Sequence, residues 1–117
     1  MKCPAEGVTG LFVGGGPMLN SLRRKTVALA AQHAIPATYS LRENVEVGGL
    51  MSYSASQVDA YRRAGIYVGR ILYGEKAGEL PIELPTKFEF VFNIKTAKAL
   101  GLKIPNSFVL LADEIIE

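Results

Sequence analysis

Residues 11–39 read LFVGGGPMLNSLRRKTVALAAQHAIPATY, and the order of patterns within that stretch decides the fold. Gly10–Val13 has the character of a buried strand, stopped by the breaker GGGP. A helix is predicted next, capped by Asn20 or Ser21. Leu22, Thr26, Leu29, Ala30 and His33 then recur on one face at helical spacing. Arg23, Arg24 and Lys25 fall in its first turns, where the helix dipole disfavours cations, so they read as a solvated face. Pro36 leads into a second short strand, Ile35–Tyr39. Strand, turn, helix and strand in that order predict a parallel α/β sheet.

The alternation continues outward. A strand is expected at about Gly49–Tyr53, then a polar turn, then a helix over Gln57–Tyr73 that starts at Ser54 or Ser56 and stops at Gly74. Tyr61, Ala64, Val68 and Ile71 form its apolar face, and Gly65 and Gly69, one turn apart, let another backbone approach closely. The proline-punctuated EKAGELPIELP is a loop. In TKFEFVFNI, Phe88, Phe90, Phe92 and Ile94 alternate with Lys87, Glu89, Val91 and Asn93, the pattern of a strand with one strongly apolar face. A short helix over Lys95–Leu100 closes at Gly101, and the tail NSFVLLADEIIE reads as a helical turn with an acidic end. Residues 1–9 form an irregular leader and 10–117 one domain. Three or four strands are few for a complete doubly wound sheet, so the chain reads as part of a fold.

Bulk properties exclude several function classes. The 117 residues carry a formal net charge of +2, which gives no general nucleic-acid surface. Cys3 is the only cysteine, so neither an internal disulfide nor a paired-cysteine metal site can form. No run approaches the length of a membrane helix, and MKCPAEGVTG lacks a signal peptide's apolar core, so the chain as written carries no export address and reads as cytoplasmic. His33, the single histidine, has no partners for a triad or a metal site. Tyr61, Tyr67 and Tyr73 are six apart and share no face, so they read as packing residues. Asp59 and Asp113 are far apart and make no acid–base pair. No enzyme activity, metal or cofactor is expected.

The glycines of GGGP invite a phosphate-binding reading, which fails on spacing. A dinucleotide fingerprint requires glycine where Leu19 stands, and a phosphate loop requires a Gly-Lys-Ser/Thr ending that PMLNS lacks. What survives is a turn at a strand's carboxyl end, where open α/β sheets place their ligands. Ser52, Tyr53 and Ser54 have the same character. A hydroxyl and the amides of the following helix would suit a carboxylate, whereas a plain capping turn is the other reading.

The ordered succession of these segments resembles a known family. The stretch GGLMSYSASQVDAYRRAGIYVGRILYGEKAGELPIELPTKFEFVFNIKTAKALGLKIP is similar to the closing portion of ABC-transporter substrate-binding proteins of the TrpX-like type. The matching elements are Gly48–Tyr53, Ile71–Gly74, Leu80–Glu83, Asn93–Gly101 and Ile104–Pro105. The 11–39 stretch resembles the family's preceding segment, and LADEIIE its terminus. The resemblance implies a type I periplasmic-binding fold of the Rossmann/flavodoxin-like kind, two α/β lobes with a solute held between them. This chain would supply a parallel-sheet, C-terminal fragment of it. It further implies a non-enzymatic solute-binding component of an ABC importer, a small-molecule solute such as an amino acid, and a permease partner. The full-length parent would be periplasmic or at the cell surface. Gly15, Gly16, Pro17, Ser52, Tyr53 and Ser54 are the residues it places at the ligand. The chain departs from the pattern in carrying no first lobe, in Gly16 where an aspartate commonly precedes Pro17, and in Met18 and Leu19 where aromatic residues often follow.

Two other classes compete. A sensor domain of a regulator shares this fold, but no helix-turn-helix segment precedes the chain. An oligomerising structural module would cover sheet edges and the Phe88–Phe90–Phe92 face by pairing two copies. A homodimer is expected on that ground.

Overall fold

The computed structural model describes residues 7–117, divided between two compact units, residues up to 54 with 89–117 and residues 55–88. Cys3 and most of the expected leader lie outside the described residues. A five-stranded sheet runs in the order β1 (Leu11–Val13), β2 (Ala37–Tyr39), β3 (Met51–Ala55), β4 (Phe88–Asn93) and β5 (Glu114–Ile116). β1, β2 and β3 are mutually parallel, as are β4 and β5. Asn93 N–H reaches the Leu50 carbonyl and Ser56 N–H the Lys87 carbonyl, so β3 and β4 run in opposite directions. The fold is α/β with a mostly parallel sheet. Its fifth strand arises in the tail expected to be an acidic end, because three residues are too few to display an alternating pattern.

In the larger unit the first helix begins earlier than predicted. Pro17, whose fixed φ suits a first helical position, opens α1 (Pro17–Ser21), and a break at Leu22 separates it from α2 (Arg23–Gln32). Asn20 and Ser21 therefore do not cap. Asn20 Oδ1 accepts from Arg23 Nη1 at 2.9 Å, and the Ser21 hydroxyl donates to the Met18 carbonyl at 2.7 Å. α2 buries Val27 and Ala30 against Val13, Ala37 and Tyr39, whereas Leu22 and His33 are exposed. Its inner stripe is thus rotated from the one predicted, since alanines and a valine suffice against a close sheet.

A short helix, α3 (Arg42–Glu46), fills the segment expected only to lead into β3, which consequently starts at Met51. Val45 of α3 is fully buried. The chain then folds back tightly, with Gly49 N–H donating to the Asn44 carbonyl at 2.8 Å. Gly49 is required there, because a Cβ would lie 2.7 Å from both that carbonyl oxygen and Tyr39 Cε2.

A second cluster gathers Leu50 of the β3 approach, Phe92 of β4 and Ala97 of α5 (Ile94–Ala99). Asn93 caps α5, its Oδ1 accepting from Thr96 N–H at 3.0 Å, and Gly101 ends the segment at φ +70° as anticipated. From α6 (Asn106–Val109), Phe108 presents its ring edge-on to Phe90 and Phe92 at 5.3 and 5.7 Å. The phenylalanine face expected to be open is therefore covered at Phe90 and Phe92, and only Phe88 is exposed.

The smaller unit is α4 (Gln57–Leu72) and the loop after it. The Ser56 hydroxyl caps α4 by accepting from Asp59 N–H at 3.3 Å, and Gly74 at φ +106° follows its end. Arg63 ties the loop back through Glu83 at 3.1 Å and Thr86 at 2.6 Å, and the Tyr67 hydroxyl donates to the Pro81 carbonyl. The predicted apolar face of α4 is present but exposed at Tyr61, Ala64, Val68 and Ile71. No atom comes within 4 Å of a Cβ built at Gly65 or Gly69, so no described backbone uses the close approach they permit.

Candidate solute-binding rim

Because β1, β2 and β3 are parallel, their carboxyl ends emerge at one edge of the larger unit's sheet. Gly14, Gly15 and Gly16 leave β1 there, Ser40 leaves β2, and Tyr53 stands one residue beyond the Tyr39–Ser52 pairing. Ser40 N–H donates to the Val13 carbonyl at 3.2 Å, drawing the ends of β1 and β2 together. A Cβ on Gly15 would sit 3.0 Å from Ser40 Oγ, so a glycine there lets the loop pass close over that hydroxyl. Gly16 is extended and forms the N-cap of α1 without a side-chain acceptor; its carbonyl receives Asn20 N–H at 2.8 Å. The first amides of α1 are thus left without a side-chain cap beside Pro17.

Ser52, Tyr53 and Ser54 lie inside β3, not in a turn after it. The strand alternation separates them. Ser52 shares a row with Val13 and Tyr39 and is 0 % exposed, and its hydroxyl has no protein partner. Tyr53 points to the other face and is 64 % exposed, and Ser54 is half-buried. The register therefore brings Gly14–Pro17, Ser40 and Tyr53 to one sheet edge, with Ser52 set beneath it.

Ser40 was missed by sequence reasoning, although its place directly after an apolar strand was a usable signal. Arg42 was missed too. It holds Glu46 at 3.0 Å, Glu114 at 2.8 Å and Glu89 at 3.7 Å, pinning the start of α3 to β4 and β5 just below the rim. Only the Arg42–Glu46 spacing of four residues is visible in the sequence. Asp113, read as tail, closes the β4 edge, its carboxylate accepting Phe90 N–H at 2.7 Å.

In the smaller unit, Asp59 is nearly buried and meets Arg62 at 2.8 Å, Arg63 at 2.9 Å and Lys87 at 3.7 Å. The Arg62 guanidinium foremost, with that of Arg63, holds the Asp59 carboxyl below the usual carboxylate range. This aspartate is a structural tie. Among the described residues no group of histidine, cysteine or carboxylates could hold a metal ion, and no helix is long and apolar enough to cross a membrane.

An exposed tyrosine, a serine hydroxyl and amides on glycine turns can bind a small polar molecule by stacking and hydrogen bonds. The chain's relatives accord with that chemistry. A domain protein from Streptococcus pneumoniae, solved in complex with L-Trp, superimposes with a TM-score of 0.86 at 27 % identity over 98 % of this chain and 40 % of its own. A conserved domain protein from Vibrio cholerae has the same fold, with a TM-score of 0.88 at 22 % identity over 97 % of this chain and 38 % of its own. A ligand-free, open substrate-binding protein with adhesive properties from Clostridium difficile gives a TM-score of 0.64 at 19 % identity, covering 97 % of this chain and 39 % of its own. The chain thus spans about two fifths of the length of these structures. No curated protein matched. The profile of the ABC transporter substrate binding protein family matches residues 18–116, and the chain belongs to that family.

Proposed function

We propose that this chain forms one wall of the solute cleft in the binding component of an ABC importer, with an amino acid as solute. The observation that carries the reading is the likeness, across almost the whole chain, to a protein solved with L-Trp bound. The rim supports it: Gly15, Gly16 and Pro17 leave amides free of side-chain caps, and Tyr53 offers an aromatic surface at the same sheet edge. In this reading the solute lies against Tyr53, its carboxylate meets the glycine-turn amides, and Ser54 lines the edge. Ser52 supports the rim from below, through packing. The chain binds and releases without bond-making chemistry, and a membrane permease receives the solute from the full-length protein outside the cytoplasmic membrane.

The test is a titration of the isotopically labelled chain with L-tryptophan, followed by amide NMR shifts. Shifts confined to Gly14–Gly16, Ser40 and Tyr53 are expected. No shift at millimolar tryptophan or at other amino acids, or shifts centred on α6, would overturn the assignment.

A further inference from the structure

We propose that the outer stripe of α4 is a homodimerisation surface, on which two copies of this chain pack α4 antiparallel across a two-fold axis at Gly65. Val58, Tyr61, Gly65, Val68 and Leu72 follow one another at alternating spacings of three and four, the seam spacing of paired helices. The four side chains are between 56 and 80 % exposed, and nothing lies within 4 Å of a Cβ built at Gly65. The opposite side of α4 is occupied by Arg63 and Tyr67, which fasten the following loop, so this stripe is the unpartnered one.

The stripe is complementary to itself. Inverting the helix about Gly65 sets Val58 against Leu72 of the second copy and Tyr61 against Gly69. A bulky ring then meets a position with no side chain, and the two Gly65 backbones meet at the crossing. Such a contact is isologous and closes at two copies. Charge selects the antiparallel direction. The N-terminal half of α4 gathers Arg62, Arg63 and Lys87 around the single carboxylate of Asp59, an excess of positive charge that adds to the helix dipole. Parallel pairing would set two such ends side by side, whereas antiparallel pairing separates them. One stripe of a four-turn helix is a small interface, so the dimer is reversible and concentration-dependent. The inference is independent of the solute reading. It also moves the expected contact between copies away from Phe90 and Phe92, which Phe108 already covers.

Disulfide trapping tests both the surface and its direction, in the full chain with Cys3→Ser as background. Gly65→Cys should cross-link to a covalent dimer under mild oxidation. Tyr73→Cys should not, because antiparallel pairing holds the two copies of residue 73 about 24 Å apart along the helix axes, far beyond disulfide reach. Sedimentation of the unmodified chain should show a monomer–dimer equilibrium that Leu72→Glu shifts to monomer without loss of helical signal. Equal cross-linking at both positions would replace the antiparallel arrangement with a parallel one and overturn the proposal. A chain that is monomeric at every concentration and untrapped at Gly65→Cys overturns it as well. So does a stripe protected only when the remaining polypeptide of a full-length relative is supplied in trans, which would assign the surface to that polypeptide.

Discussion

Gly49→Ala should be among the most damaging single-methyl additions in this chain. The new Cβ would lie 2.7 Å from the Asn44 carbonyl oxygen, 2.7 Å from Tyr39 Cε2 and 3.1 Å from the Asn44 carbonyl carbon. Ordinary contact begins near 3.4 Å, so overlap of roughly 0.7 Å must be relieved on two sides at once. Neither side yields readily. The Asn44 carbonyl is held by the Gly49 amide at 2.8 Å, and Tyr39 is 1 % exposed within the first core cluster. Overpacking of this kind costs about 3 kcal/mol. The loss of unfolded-state freedom on replacing glycine returns about 0.4–1 kcal/mol. The net loss is about 2–3 kcal/mol, a large share of the 5–15 kcal/mol typical of a domain. At about 4 °C per kcal/mol it lowers the melting temperature by roughly 8–12 °C. Urea unfolding followed by far-ultraviolet circular dichroism measures it directly, with an unchanged m-value expected. Gly65→Ala is the control: its Cβ meets open space on a helix, so the monomer should gain up to about 1 kcal/mol. A Gly49→Ala variant within about 0.5 kcal/mol of the parent would refute the packing of α3 against β2.

Phe92→Ala should cost about 3–5 kcal/mol, because the ring is buried at the centre of the second cluster. Phe108→Ala, on a half-exposed ring, should cost about 2 kcal/mol by loss of its two edge-on contacts, and the same urea experiment separates the two. Tyr53→Ala should weaken tryptophan-induced NMR shifts while changing stability by less than about 0.5 kcal/mol, since the ring is largely solvent-exposed. The Asp59 carboxyl is depressed in the folded chain, so its ion pairs contribute stability fully above the unfolded aspartate value near 3.9. That contribution is lost as pH falls through the lower folded value. An acid titration of Asp59→Asn should therefore show a shallower loss of stability below about pH 4 than the parent.

How much of this was legible depended on element length and on where each partner lay. α4 was readable to within a residue, because Ser56, the apolar periodicity and Gly74 are all local signals. So was β4, whose phenylalanines alternate over six residues. α1 misled because Asn20 and Ser21 are good capping residues that instead serve Arg23 and Met18, while Pro17 set the start. α3 and β5 were invisible. Five and three residues carry no period, and what fixes them is distant: Arg42 reaches Glu114, seventy-two residues away. At the rim, the glycine turn followed from its residues, whereas Ser52 looked like a surface hydroxyl because a strand boundary misplaced by two residues hid its burial. Ser40 emerged only when the register placed it beside Gly15.

The sheet's strand order has a consequence for how the chain is made. Each strand lies beside the one translated just before it, from β1 through β5. A chain leaving the ribosome can therefore add strands one at a time, and none waits for a partner still unsynthesised. Loop closure stays short at every step, which keeps its entropic cost low. The exception to this ease is the end. β4 keeps an open hydrogen-bonding edge until Asp113 and β5 arrive as nearly the last residues made. A ribosome stalled even six residues early would release a chain whose longest strand is a bare template for aggregation.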